Sequence, residues 1–422
     1  MMKKNLPYLS ALCVLIIGFE SPVKACSVFN AARIDKVYAA TNKDWNNKET
    51  RILFIPPSDH KYGRVYFGYQ IPEGFQNVGG MNDQGLWYDG ASLPERSDIY
   101  NHFNKPTVKG ELCEKALEEC ATVEEVIQMY AHYYTPHWQG HSMWADRFGN
   151  SVIIEYGEKD VVCTRKEHGF QVMTNFYVSD SKNPRWYNCY RFNAISEILE
   201  EAGELTVDLM TTALDASHKE GLMPTLFSNV YDLKNREIYI YHFHNFEEVV
   251  RLNLAEQLGK EELYLELPRL FHGIQLKSPA AEQLVDGSLV SFEWSGGAES
   301  YSLCCSEDKS FTVCETVELL SLQMDDSQLL GLSSVMILAL IAGWMYTTKK
   351  RSLMALLLGL MLMGSCAACS KVFISPTLPP SLDASARVKD LKPGTRYYWK
   401  VIAHGNNGIS SESVVRTFTT MD

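Results

Sequence analysis

The residues best placed to do chemistry meet at one junction, Lys24-Ala25-Cys26. A basic start (Lys3, Lys4) leads into an apolar run from Leu9 to Phe19 and then a small-residue exit, Val23-Lys24-Ala25. That is the layout of a secretory signal peptide over residues 1–25. Cleavage after Ala25 would leave Cys26 first, with a thiol nucleophile and a free α-amine on one residue. The amine titrates near ~7.7–8.0 and the thiol near ~8.5, so one can act as base for the other close to neutral pH. Two plainer readings compete. One is a lipoprotein anchor, for which Pro22-Val23-Lys24-Ala25 is a poor lipobox because Lys24 stands where a small residue is wanted. The other is an ordinary buried or disulfide cysteine, since free Cys is among the most buried residue types.

Short motifs follow Cys26 in order: Ala25-Cys-Ser-Val-Phe29, Ala40-Thr-Asn-Lys-Asp44-Trp45-Asn46 and Gly79-Gly-Met-Asn82-Asp-Gln-Gly85-Leu86. Then come Trp144-Ala-Asp146-Arg-Phe-Gly149, Met173-Thr-Asn175-Phe176, Cys189-Tyr-Arg191-Phe192 and Thr225-Leu-Phe-Ser-Asn-Val-Tyr-Asp232. This series resembles the N-terminal-nucleophile (Ntn) cysteine hydrolases. Within them it looks most like the isopenicillin-N acyltransferase and carcinine hydrolase group, and next like the choloylglycine hydrolase and penicillin V acylase group. The resemblance covers about Cys26 to Asn245. It implies an αββα sandwich, two stacked antiparallel sheets with helices outside, and hydrolysis or transfer at a linear amide.

An amide carbonyl needs a nucleophile, a proton shuttle, and donors for the oxyanion of the tetrahedral intermediate. The resemblance implies that Cys26 supplies the thiol and that its own α-amine takes the proton and returns it to the leaving amine. It implies that Asp44, in the Asn-x-Asp-Trp motif, accepts hydrogen bonds from that amine, and that Asn175 donates a side-chain N–H to the oxyanion. Asn82 falls in the Met-Asn-x-x-Gly-Leu segment, where family members offer a second oxyanion donor. Arg191 matches an arginine held near the site by charge pairing. Each has a plainer alternative: a turn or cap for Asp44, an Asx turn for Asn175, a hairpin residue for Asn82 and a solvated helix residue for Arg191. Asp146 and Gly149 read as a strand–turn pair. One departure is clear. Many choloylglycine-type members carry an arginine three residues before the Asp of the Asp-Trp pair, and here that place is Thr41. The thiolate would lose a cationic neighbour, which favours the acyltransferase-like branch.

The elements that must position these residues can be read from periodicity. Val37–Thr41, Val65–Tyr69, Ser151–Tyr156, Phe170–Thr174 and Glu237–His242 read as strands, and helical patterns cover Gly110–Tyr134 and Tyr190–Ala202. After a bridge near His272–Asp286 the character changes. Ser288–Trp294 alternates, and Val388–Val401 carries a Leu-x-Pro-Gly turn before Tyr397 and Trp399. These segments resemble two halves of a fibronectin type III sandwich. Between them Leu329–Thr348 is an uncharged apolar stretch of 20 residues, followed by Lys349-Lys350-Arg351 and a second apolar run, Ser352–Ser370. Two spans joined by three cations read as a membrane hairpin with a cytoplasmic tip. The alternative for the second run is an internal lipoprotein-like signal ending at Met363-Gly-Ser-Cys366.

The chain of 422 residues is long enough for two or three domains. Its formal charge of −12 argues against nucleic acid as a partner. No glycine-rich phosphate loop, no HExxH and no zinc-type cysteine spacing occurs, so no cofactor or metal is expected. Cys304 or Cys305 could pair with Cys314 across neighbouring strands. The expected fold class is α+β: an αββα Ntn-hydrolase sandwich at 26–271, then an interrupted fibronectin type III-like sandwich at 279–320 and 386–420, with a transmembrane helical hairpin inserted at 329–370. The expected function is an exported, membrane-anchored cysteine amidohydrolase or acyltransferase acting on a small N-acylated amine or amino acid. The alternatives are a bile-salt or penicillin V amidase, and an inactive Ntn-like surface binding protein.

Overall fold

The computed structural model describes residues 26–95, 105–134, 140–180, 189–259, 261–311, 314–318 and 382–422. The chain forms two compact units. Among the described residues, one is built from those up to Asn46, in Pro57–Arg64 and in Val78–Arg236; the other from those in Asn47–Pro56, in Val65–Asn77 and from Glu237 onward.

In the first unit, strands Phe170–Met173, Cys26–Arg33, Lys36–Asp44 and Thr225–Asp232 lie side by side in that order, all antiparallel. A second antiparallel sheet runs from the end of strand Gly74–Asn82 through Trp87–Ser92, Gly140–Ala145, Ser151–Tyr156 and Val161–Arg165. Strand Cys26–Arg33 packs on Trp87–Ser92 and Gly140–Ala145, so the two sheets meet face to face. Helices Tyr190–Glu201 and Val207–Ala216 cover the outer face of the first sheet, and helix Val123–His132 covers the second. This layering explains the burial of strand Lys36–Asp44, which is covered on both faces from Val37 to its end. Successive side chains then go to different layers: Asn42 donates to Leu214 O on the helix side, and Lys43 donates to Val78 O in the facing sheet. Gly85, at φ +77°, closes the tight turn after Asn82, where a Cβ would come within 2.3 Å of Leu233 O.

In the second unit, the sheet of Gln275–Ser278, Leu289–Gly296 and Leu382–Lys389 faces strands Ser300–Ser306, Arg396–His404 and Arg416–Thr420. Their inner residues Phe292, Trp294, Tyr301, Trp399 and Phe418 form one core, with Phe292 and Trp399 edge to face at 5.1 Å. The buried Glu248 carboxylate accepts from the backbone N–H groups of His272, Gly273 and Ile274 and from the Ser411 hydroxyl. It thereby fixes the segment leading into this sandwich. Cys304 is disulfide-bonded and stands in register with Cys314.

The structure corrects the expected fold class. The described residues are 48% strand and 17% helical, a mostly-sheet chain rather than an α+β one. Several strands had no legible alternation because Gly, Asn or Arg interrupts them, among them Gly74–Asn82 and Asn245–Asn253. The helix expected over 110–134 is two helices, Leu112–Glu119 and Val123–His132. Cys120 is extended, and a Thr122–Glu125 capping box starts the second helix afresh. The transmembrane hairpin is corrected too: no helix among the described residues is long and apolar enough to cross a membrane. The runs 329–348 and 352–370 assigned to it, like residues 1–25, lie outside the described residues.

Candidate active site

Cys26 opens its strand and is buried. Register brings Asn175 to it. Val28 pairs with Met173, and continuing that antiparallel ladder by two residues sets Asn175 opposite Cys26. The Cys26 nitrogen donates to Asn175 Oδ1 at 3.0 Å. Arg191, in the first turn of its helix, grips the same group from the helix side. Its Nη2 donates to Asn175 Oδ1 at 2.8 Å, and its Nη1 donates to Cys26 O at 2.7 Å and to Ser27 Oγ at 3.2 Å. Asn175 Nδ2 donates in turn to Ser92 O at 2.8 Å. His141 lies between Glu155 Oε1 at 2.9 Å and Thr174 O at 2.7 Å, while the Glu155 carboxylate also accepts from the N–H groups of Val178 and Ser179. The turn that carries Asn175 is therefore held on both sides.

Asp44 ends the neighbouring strand. A register shift between Thr225 and Phe227 brings Thr225 opposite it, and Thr225 Oγ1 donates to Asp44 Oδ1 at 2.6 Å. The Thr225 hydroxyl is oriented by accepting from Lys219 N–H at 2.8 Å. Asp44 Oδ2 has no hydrogen-bond partner among the described residues and lies 3.7 Å from Arg191 Nη1. Burial pushes Asp44 up to about 6, against the Thr225 hydrogen bond and the charges of Arg191, Lys219 and Lys43. Burial also raises the Cys26 thiol. Lys43 and a hydrogen bond from the Asp44 backbone work downward, and the Asp44 and Asp89 carboxylates work upward. The resting thiol is protonated at neutral pH and needs a base to become a nucleophile.

Of the five residues expected from sequence, Cys26, Asp44, Asn175 and Arg191 come together. Asn82 does not join them. Its Nδ2 donates to Leu117 O and Cys120 O, and its Oδ1 accepts from Gln84 N–H and Leu86 N–H. With both amide hydrogens committed, it has none for an oxyanion and serves the turn and the helix packed beside it. Asn175 differs from expectation in another way: its carbonyl oxygen accepts from the Cys26 nitrogen, while its amide nitrogen donates to Ser92 O. Asp146 accepts from Phe148 and Asn150 N–H, with Gly149 at φ +92°, as a turn.

Sequence reasoning missed Thr225, Lys43 and Asp89. Lys43 Nζ donates to Asp89 Oδ1, to Val78 O at 3.1 Å and to Gly90 O at 3.0 Å, and both charged side chains are almost wholly buried. Gly79 makes room for this pair, since a Cβ there would lie 2.3 Å from Asp89 Oδ2. A charged residue in a strand of Ala and Thr, and a lone acid inside Trp-Tyr-Asp-Gly, were the available signals. Among the described residues no group of three or more His, Cys, Asp or Glu could hold a metal ion.

No family model and no curated protein matches the chain. Solved structures similar to it include a penicillin V acylase from Agrobacterium tumefaciens, 18% identical, covering 57% of this chain and 91% of that one at a TM-score of 0.48. A variant of a conjugated bile acid hydrolase from Clostridium perfringens is 13% identical, covering 56% and 96% at a TM-score of 0.47. A second variant of that hydrolase is 14% identical, covering 57% and 97% at 0.48. Likenesses of this degree decide nothing about the reaction.

Proposed function

We propose that this chain is an N-terminal-nucleophile cysteine amidohydrolase or acyltransferase, exported and matured by removal of residues 1–25. The observation that carries this reading is the hydrogen bond from the Cys26 nitrogen to Asn175 Oδ1, with Arg191 holding the acceptor. In the mature chain that nitrogen is an α-amine. Asn175 Oδ1 accepts a hydrogen bond from it and so orients it, leaving the lone pair to accept the thiol proton.

The reaction runs in two halves. The Cys26 sulfur bonds to the carbonyl carbon of a small N-acyl compound as its proton passes to the α-amine. The C–N bond then breaks, and the proton leaves on the departing amine, giving a thioester on Cys26. Water, or an acceptor amine, attacks the thioester and gives up a proton through the same α-amine to the sulfur, releasing the acid or the new amide. Asp44 and Arg191 form the charged frame around the amine.

The test is direct. Intact mass of the mature protein is expected to place Cys26 first with a free amine, and an activated acyl ester is expected to acylate that residue. Cys26→Ala should remove amide cleavage and leave the melting transition in place. Full turnover in that variant, or a mature chain with a blocked or longer N-terminus, would refute the mechanism.

A further inference from the structure

The Lys43–Asp89 pair has no role in the proton path just described, yet it is placed against the nucleophile. Cys26 and Lys43 are directly opposite one another on adjacent antiparallel strands. Side chains at such positions lie on the same face of the sheet with Cβ atoms ~4.5–5.5 Å apart. That face is turned to the second sheet, where Asp89, Val78 and Gly90 receive the Lys43 ammonium. An ammonium has three hydrogens, and these three acceptors use them all. Lys43 therefore has every N–H engaged in holding it in place and none left for a substrate. Thr41, two residues earlier on the same face, carries no charge.

We infer that Lys43, held in place by Asp89, is the cation that stabilises the Cys26 thiolate. This rests on the reading of Cys26 as nucleophile. The two charges act on the sulfur with opposite signs and unequal reach. Lys43 stands directly across the ladder, whereas Asp89 lies on the facing sheet, where it holds the Lys43 nitrogen. Among the described residues the other charged groups beside Cys26 are Asp44 on the same strand as Lys43, whose ionisation the Lys43 charge also favours, and Arg191 on the covering helix. Asp89 anchors the lysine and partly offsets its field. Lys43 is thus a positioning residue, acting through the sulfur's charge without contacting the substrate.

The opposite signs supply the test. The full chain is treated with iodoacetamide across pH 5–10, and alkylation of Cys26 is followed by mass spectrometry of its peptide. Lys43→Met should move the midpoint of the profile to higher pH and slow alkylation at pH 7 by roughly tenfold for each unit moved. Asp89→Asn should move the midpoint to lower pH and speed the reaction at pH 7. If Lys43→Met fails to fold with an unpaired buried carboxylate, the double variant Lys43→Met/Asp89→Asn takes its place and should move the midpoint upward. A merely structural pair would move both single variants the same way, or neither, and either result overturns the inference. Because the readout is the thiol itself, it is separable from the functional reading: amide cleavage persisting in Cys26→Ala would sink the mechanism whatever the alkylation profile showed.

Discussion

Thr225→Val probes the site through a contact that touches neither the sulfur nor the amine. The Thr225 hydroxyl donates to Asp44 Oδ1, and Asp44 Oδ2 has no donor among the described residues. Burial has already pushed this carboxyl up to about 6, and the Thr225 bond is the strongest influence keeping it from going higher. A hydrogen bond to a charged group contributes ~1.5–3 kcal/mol, which at 1.36 kcal/mol per pH unit is roughly one to two units. Removing it should carry Asp44 ionisation to roughly pH 7–8. If the ionised carboxylate is required, acylation of Cys26 by an activated acyl ester should fall at pH 6 by roughly five- to fiftyfold and recover to within about ten per cent at pH 9. The assay is the pH profile of the acylation rate for wild type, Thr225→Val and Thr225→Ser. The serine variant keeps the hydroxyl and should keep the wild-type acid limb. A valine profile lowered equally at every pH, or an acid limb that does not move, would show that Thr225 supports the strand pairing and has no hold on the carboxylate.

Two further outcomes are expected. Asn82→Ala strands the buried carbonyls of Leu117 and Cys120 and should lower stability by at least about 3 kcal/mol in urea denaturation, while Cys26 acylation per folded molecule stays within about twofold of wild type; an acylation-specific loss would return Asn82 to the oxyanion site. Asp44, at about 6 folded against 3.8 as its ordinary value, contributes stability that is fully present below 3.8 and lost as pH rises through about 6. The stability of wild type relative to Asp44→Asn should therefore fall by ~3 kcal/mol between pH 3.5 and 7, and a flat difference would mean the carboxyl is not held in a dry site.

How much of this could be read from the sequence differs by residue. Ser151–Tyr156 and Glu237–His242 were legible to the residue because β-branched and aromatic side chains dominate them between turn signals. Cys26 and Asp44 were legible as types in a pattern, but the carboxylate's partner was not. Thr225 reaches Asp44 only because the ladder slips near Phe227, and a slip in register leaves no mark in composition. Asn82 misled because Asn before a Gly-Leu turn looks the same whether its amide points to a substrate or to a helix terminus. Only the position of helix Leu112–Glu119 decides between them. The Lys43–Asp89 pair needs the stacking of two sheets, a relation between residues 46 positions apart that periodicity within either strand cannot express.

The last strand positions before Trp45 show why the site needs a completely buried strand. Lys43 and Asp44 are neighbours in sequence, and period-two geometry sends them to opposite faces of one sheet. Lys43 goes between the sheets, to the face that Cys26 shares with it by direct register. Asp44 goes to the helix-covered side, toward Arg191 and the Thr225 hydroxyl. One dipeptide thus sets two separate fields, a cation on the sulfur's face and a carboxylate on the face where Arg191 meets the Cys26 backbone. An exposed strand could not do this, because water on either face would screen the charge placed there. Deleting Asn42, with the hairpin register at Arg33–Lys36 kept, would draw Lys43 and Asp44 back by one position and exchange their faces, and the nucleophile would meet the carboxylate where it now meets the lysine.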